Sequence, residues 1–176
     1  FGQRMFTSKE AMELKKQPKR LAIIGGGYIG LEFAGMFNSF GTHVTIFDQH
    51  TRLLEREDPD IATEVVTDLT DAGIEIKSET QLTQVKDNGE KVTLYYQQGD
   101  QTNTAEFDAV LVAVGRRPNI SSLGLENTDI ALTNRGAIQV DDHLRTTVQN
   151  IWALCDVNGG PMFTYVSLDD FRIIID

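Results

Sequence analysis

The chain has 176 residues, 40% hydrophobic and 24% charged, an ordinary globular composition with enough apolar area to bury a core. Its formal charge of -10 repels phosphate backbones, which argues against nucleic acid as a partner. The longest mainly apolar stretch, residues 21–37, is rich in glycine and carries Glu32, so it does not read as a membrane span.

The elements follow in chain order. Residues 9–16 have the pattern of a short amphipathic helix, closed by Pro18. Residues 21–24 form a compact apolar run of the kind found in buried parallel strands. Over 28–40, Ile29, Phe33, Met36, Phe37 and Phe40 recur at helical spacing, and Gly41 stands where a C-terminal cap belongs. HVTIF at 43–47 predicts the next strand, 60–71 a helix ended by Gly73, and 74–76 a third strand. This β-α-β-α-β order predicts an α/β fold with a parallel, doubly wound sheet.

From residue 83 to 107 the pattern changes. Residues 93–97 favour a strand, and the turn signals DNGE (87–90) and QQGDQ (97–101) predict an antiparallel meander. A buried strand, AVLVAV, follows at 109–114. Arg116, Arg117, Pro118 and Asn119 break the pattern and mark a domain boundary near Pro118. Beyond a loop-rich stretch at 120–134, short strands are expected at 137–140 and 151–154. The last element is a helix over 167–175, opened by Ser167 and Asp170 as a capping box.

Gly25, Gly27 and Gly30 satisfy G-x-G-x-x-G between a predicted strand and a predicted helix. The first glycine permits the tight turn, the second a close approach of pyrophosphate, and the third close packing of helix on strand. Gly26, Tyr28 and Ile29 fill the intervening positions and are expected to bind the cofactor with them, the helix N-terminus offering free N–H groups to the phosphates. Asp48 ends the second strand, eighteen positions after Gly30, where a carboxylate can accept from both ribose hydroxyls. Together these residues point to dinucleotide binding. No C-x-x-C or H-E-x-x-H occurs, and His43, His50 and His143 are scattered, so no metal site is expected. Cys155 is the only cysteine, which rules out an internal disulfide and suits a reducing cytoplasm. The start at Phe1 and the apolar run at 173–175 give the chain the look of an excerpt.

Three stretches resemble the flavin-dependent pyridine nucleotide–disulfide oxidoreductases, which include dihydrolipoamide dehydrogenase, glutathione reductase and mercuric reductase. GGGYIGLEFA is similar to their nicotinamide-cofactor motif. FDAVLVAVGRRPN (107–119) resembles their return segment between domains, and TTVQNIWALCDV (146–157) their second flavin-contacting motif. FTYVSLDDFRI resembles the mercuric-reductase-like bacterial branch associated with resistance to reactive chlorine. The resemblance implies a three-layer NAD-binding domain over 18–118, preceded by a linker and helix (1–17). It implies an incomplete, C-terminal part of a split FAD-binding domain over 119–176. The flavin's own glycine motif and the redox cysteines would lie upstream, and a catalytic His-Glu pair in a dimerisation domain downstream. The chain would then hold no catalytic residue and be inactive alone, with NADH and the rest of a homodimeric parent as its partners.

Residue by residue, Tyr28 matches the family's aromatic lid over the nicotinamide pocket, and Glu32 a glutamate that approaches the nicotinamide. Gly115 stands at the carboxyl end of a strand, where doubly wound sheets bind ligands. Asp156 matches the aspartate that bonds the flavin's ribityl chain, with Cys155 in place of the usual glycine before it. Cys155 itself reads as a buried strand thiol rather than a reactive one. NADP-using members carry arginines just after the second strand; here Gln49 and Glu55 stand at the matching positions. Asp48 therefore favours NAD, although Arg52 and Arg56 are nearby and leave some tolerance of NADP. The run 55–58 and the pair Asp169 and Asp170 read as first-turn helix charges.

Three alternatives stand beside this reading. A short-chain dehydrogenase needs Tyr-x-x-x-Lys, and none of the four tyrosines has a lysine four residues on. A nucleotide-sensing module without redox turnover, and an oxidase or peroxidase relative with one active cysteine, remain open on the sequence.

Overall fold

The computed structural model describes residues 3–175, which divide into two compact units, one ending at Gly115 and the other starting at Arg116. The first unit contains β1 (Met5–Phe6), α1 (Ser8–Ala11), β2 (Arg20–Ile24), α2 (Tyr28–Ser39), β3 (His43–Phe47), α3 (Pro59–Asp71) and β4 (Glu75–Lys77). It continues with β5 (Thr80–Asp87), β6 (Val92–Gln98), β7 (Gln101–Phe107) and β8 (Ala109–Val112). Five of these strands form a parallel sheet in the order β1-β8-β2-β3-β4, and β5-β6-β7 form an antiparallel meander.

Strand periodicity sorts the core into two clusters. Leu21 and Ile23 of β2, Val44 and Ile46 of β3, and Ala109 and Leu111 of β8 point to one face. There they pack against Leu31, Ala34 and Phe37 of α2 and partly buried residues of α3. The alternate residues Ala22, Phe47 and Val110 point to the other face, against Val92, Leu94 and Tyr96 of β6 and Phe107 of β7. The layers are therefore helices, parallel sheet and meander. With both faces covered, the central strands are buried along most of their length, which is why β2 and β8 read as apolar runs and β3 as one interrupted only by the buried Thr45. Phe47 anchors the second cluster, its ring edge-on to Tyr96 at 5.1 Å and to Phe107 at 5.8 Å.

The turns are those the sequence signals. Gly89 follows Asp87, whose carboxylate takes the Gly89 N–H at 2.9 Å. Gly99, at a φ of 58°, makes the two-residue turn between β6 and β7. Asp108 fastens the meander to the sheet. Its Oδ2 accepts the Lys19 and Arg20 backbone N–H groups at 2.9 and 2.8 Å, and its Oδ1 pairs with Lys91. The Lys91 hydrogen bond, with the backbone donors, holds the Asp108 carboxyl below its ordinary range.

Four expectations change in the first unit. The first helix is one turn long, not eight residues, because only Ala11 is buried and Met12 and Leu14 have nothing to cover them. The two-residue β1 beside β8 is too short to show a period. The third strand is shifted one residue, to Glu75–Lys77. The run 55–58 does not cap α3 as a block. Asp58 stands at the N-cap without a side-chain hydrogen bond, and Pro59 opens the helix.

The second unit holds two single-turn 3-10 helices, Leu125–Asn127 and Cys155–Asn158, and the helix α4 (Thr164–Ile175). Residues 137–140 and 151–154 are not strands; each stretch makes one isolated bridge, Ile138 to Leu132 and Trp152 to Arg145. α4 starts three residues before the expected cap. The Ser167 N–H bonds the Phe163 carbonyl at 3.1 Å, a helical bond that puts Ser167 inside the helix. Asp170 is therefore mid-helix and buried, and not a first-turn charge.

Candidate functional site

β2, β3 and β8 are parallel neighbours, so the loops after them share the carboxyl edge of the sheet. The Gly25 N–H donates to the Phe47 carbonyl at 2.8 Å, and the Ala113 N–H to the Ile24 carbonyl at 2.8 Å. These bonds bring residues 25–27, Asp48 and residues 113–115 to one place.

The glycines of the loop do different work. A Cβ on Gly25, at a φ of 107°, would lie 2.5 Å from the Ala113 carbonyl oxygen. On Gly26 it would meet Leu53 Cγ at 2.4 Å, and on Gly30 the Gly25 carbonyl oxygen at 2.0 Å. Backbone or packed side chains fill those three positions. Gly27 differs: nothing lies within 4 Å of its Cβ position, and its φ of -85° and ψ of -179° suit any residue. Packing does not require glycine there. The space over Gly27 is what a ligand's pyrophosphate needs at the second glycine of the motif.

Gly27 is also the N-cap of α2, and a helix does not itself supply partners for the N–H groups of its first turn, here including Ile29 and Gly30. The first turn of α2 carries no acidic residue, so its positive end is not neutralised from within the helix. Such an end suits an anion. Tyr28 is 39% exposed beside the open glycine and donates its hydroxyl to the Glu57 carboxylate. Glu32 is exposed one turn further along α2.

Asp48 lies where the sequence puts it, directly after β3, with its side chain 10% exposed. Its Oδ2 accepts the Gly26 N–H at 2.5 Å, which ties the acid to the glycine loop. Its Oδ1 accepts the His50 backbone N–H at 2.8 Å and bonds His50 Nδ1 at 2.7 Å. Gln49 is exposed, and its amide lies 3.4 Å from His50 Nε2. Arg52 donates through Nη2 to the Glu55 and Glu57 carbonyls at 3.0 and 3.2 Å. Gly115 is exposed at a φ of 137°, with open space at its Cβ position.

Asp156 belongs to the second unit. It pairs with the Arg116 guanidinium, which also reaches the Met162 carbonyl at 3.4 Å. Cys155 is half-buried at the head of a 3-10 turn, not buried on a strand. Its φ of 63° is the left-handed conformation that favours glycine. The Cys155 N–H bonds the buried Asp170 carboxylate at 2.7 Å, and its thiol lies 3.3 Å from Asp156 Oδ1.

The sequence shows His50, Arg116 and Asp170, and Glu57 within the run 55–58, but not the contacts they make here. The His50 contact had a local signal, since an Asp bonding the backbone two residues on is a common turn. Glu57 and Asp170 act over 29 and 15 residues, and no spacing rule reveals them. Among the described residues no group of three or more His, Cys, Asp or Glu is placed to hold a metal ion. No helix in them is long and apolar enough to cross a membrane.

With this geometry in hand, a family model described as pyridine nucleotide-disulphide oxidoreductase matches residues 1–170. The chain belongs to that family. It is 44% identical over 172 residues to the probable pyridine nucleotide-disulfide oxidoreductase RclA of Escherichia coli, covering 98% of this chain and 38% of that protein. It is 37% identical to a mercuric reductase of Staphylococcus aureus, covering 96% of this chain and 31% of the other. The solved HOCl-induced flavoprotein disulfide reductase RclA from Escherichia coli superposes with a TM-score of 0.90 at 42% identity, over 100% of this chain and 40% of that one. The chain thus spans well under half the length of these relatives. The family's enzymes are FAD-dependent and use NAD(P)H.

Proposed function

We propose that the first unit is the NADH-binding domain of a flavin-dependent oxidoreductase, and that the second contributes Asp156 to the seat of the flavin. The observation that carries this reading is the empty Cβ position of Gly27, next to three glycines whose positions packing fills. The α2 N-terminus and the N–H groups of residues 27–30 bind the pyrophosphate. Asp48 takes the adenosine ribose, while Tyr28 and Glu32 stand on the nicotinamide side. Gly115 lets the β8 loop pass close to the ligand.

When bound, the nicotinamide supplies a hydride to FAD, and electrons pass on to a redox disulfide and a final acceptor outside this chain. This chain's residues bind and orient the donor. The whole protein works in the cytoplasm as a homodimer, and the chain does not turn over by itself. Asp48 selects NADH over NADPH, since its carboxylate opposes a ribose phosphate.

Anaerobic titration of the whole flavin-loaded protein with NADH tests the reading. Bleaching of the flavin absorbance at about one NADH per flavin is expected. A flavin that NADH and NADPH both leave oxidised would overturn it.

A further inference from the structure

Asp170 is buried in the middle of α4, 8% exposed. A carboxylate placed there gives up hydration, so the donors it meets must replace water. Its Oδ2 accepts the Cys155 N–H at 2.7 Å and the Asn158 Nδ2 group at 3.4 Å. Cys155 and Asn158 are the first and last residues of the 3-10 turn that carries Asp156. One oxygen of α4 thus spans that turn from end to end.

A helical turn supplies no partners for its own leading N–H groups, and Asp170 supplies one to Cys155. Cys155 also sits at a φ of 63°, which an L-residue disfavours and glycine does not. A residue stays in such a conformation only when its surroundings over-determine it. Asp170 holds its amide. Asn158 adds a bond from Nδ2 to the Ala153 carbonyl at 3.3 Å, and the Ile138 N–H donates to the Val157 carbonyl at 2.8 Å. Asp156, the next residue, pairs with Arg116 through Oδ2 and takes the Cys155 thiol on Oδ1, yet its side chain stays 31% exposed. A carboxylate has acceptor sites beyond those two, so a ligand hydroxyl fits there while the backbone beneath is locked.

We propose that Asp170 is a positioning residue for the flavin: by holding the Cys155 amide it keeps the left-handed turn that aims Asp156. The proposal rests on the reading above that Asp156 helps to seat the flavin. Asp170 acts through the backbone of residue 155 rather than on the flavin itself. The need for it follows from the side chain at 155. A glycine there adopts the same φ freely, and the turn then depends far less on the carboxylate. Cys155 and Asp170 are a matched pair, one straining the turn and the other holding it.

The test is the FAD affinity of the whole flavin-loaded protein, read as flavin fluorescence released on dilution, across Asp170→Ala, Cys155→Gly and the double variant. Asp170→Ala should weaken FAD binding roughly tenfold, the scale of one hydrogen bond to a charged group. In the Cys155→Gly background the same change should cost no more than about twofold. If Asp170→Ala does not fold, Asp170→Asn, which keeps one acceptor oxygen, carries the comparison, and its smaller loss must shrink in the same way. Equal loss of affinity in both backgrounds, or a lower melting temperature with FAD affinity unchanged, would overturn the proposal. Asp156→Ala separates the two claims. Weaker FAD binding there, with Asp170→Ala unaffected, would overturn the proposal alone; unchanged binding by Asp156→Ala would overturn the reading beneath it as well.

Discussion

Asp48 and Gly26 are joined by a 2.5 Å hydrogen bond from the glycine's N–H to the acid's Oδ2. The acid at the end of β3 thus shapes the cradle as well as facing the ligand. Replacing Asp48 by Ala removes an acceptor from a loop N–H with little room for water, since Gly26 is buried against Leu53. A loss of roughly 1–3 kcal/mol in stability is expected, read as a lower melting temperature, together with weaker NADH binding. Asp48→Asn keeps an oxygen for Gly26 and should recover part of the stability but not the preference for NADH over NADPH.

Gly30 and Gly27 should behave as opposites. A methyl group on Gly30 meets the Gly25 carbonyl oxygen at 2.0 Å, and relieving that contact must move α2 or the turn. Gly30→Ala is expected to cost about 1–3 kcal/mol. Gly27→Ala meets nothing within 4 Å and should unfold within about 1 kcal/mol of the native protein. Urea denaturation of both variants checks the contrast.

Much of this was legible in the sequence because local and long-range demands coincide. HVTIF lies on a both-sides-buried strand, as do the first four residues of AVLVAV, and the apolar runs announce them, although the second strand stops at Val112 and leaves Val114 exposed. The glycine string gives the turn, but not which glycine is open; that depends on Ala113, Leu53 and Asp48. The C-terminal unit was harder. Its buried residues, Ala137, Ile138, Leu144 and Ala153, hold isolated bridges and turns that have no period. The Ser167–Asp170 spacing imitates a cap, whereas Asp170 in fact reaches Cys155.

Cys155 makes a further prediction. Its φ of 63° places an L-residue in the left-handed region, so Cys155→Gly should relieve roughly 1 kcal/mol of backbone strain. The expected result is an unchanged or higher melting temperature and no loss of bound flavin, measured by absorbance. A marked fall in either would mean that the thiol's contact with Asp156 matters more than the backbone.

Asp108 governs part of the response to acid. Its carboxyl is held below its ordinary value, chiefly by Lys91. Its contribution is therefore full above the unfolded value of about 3.9 and is lost as pH falls through the lower folded value. Asp108→Asn should lower stability at neutral pH by about 1 kcal/mol, a figure reduced for the partial exposure of both partners. The gap from the native protein should narrow below about pH 4. Melting temperatures measured from neutral to acid pH read this directly.

The measurement that bears most directly on the cradle is calorimetric titration of NADH into the whole protein and its Gly27→Thr variant. Threonine caps a helix about as well as glycine, so the fold should stand while the side chain fills the open space. NADH should bind the native protein and bind the variant roughly 10- to 100-fold more weakly, at an unchanged melting temperature. Equal binding by the two, or none by the native protein, would contradict a pyrophosphate seat at Gly27.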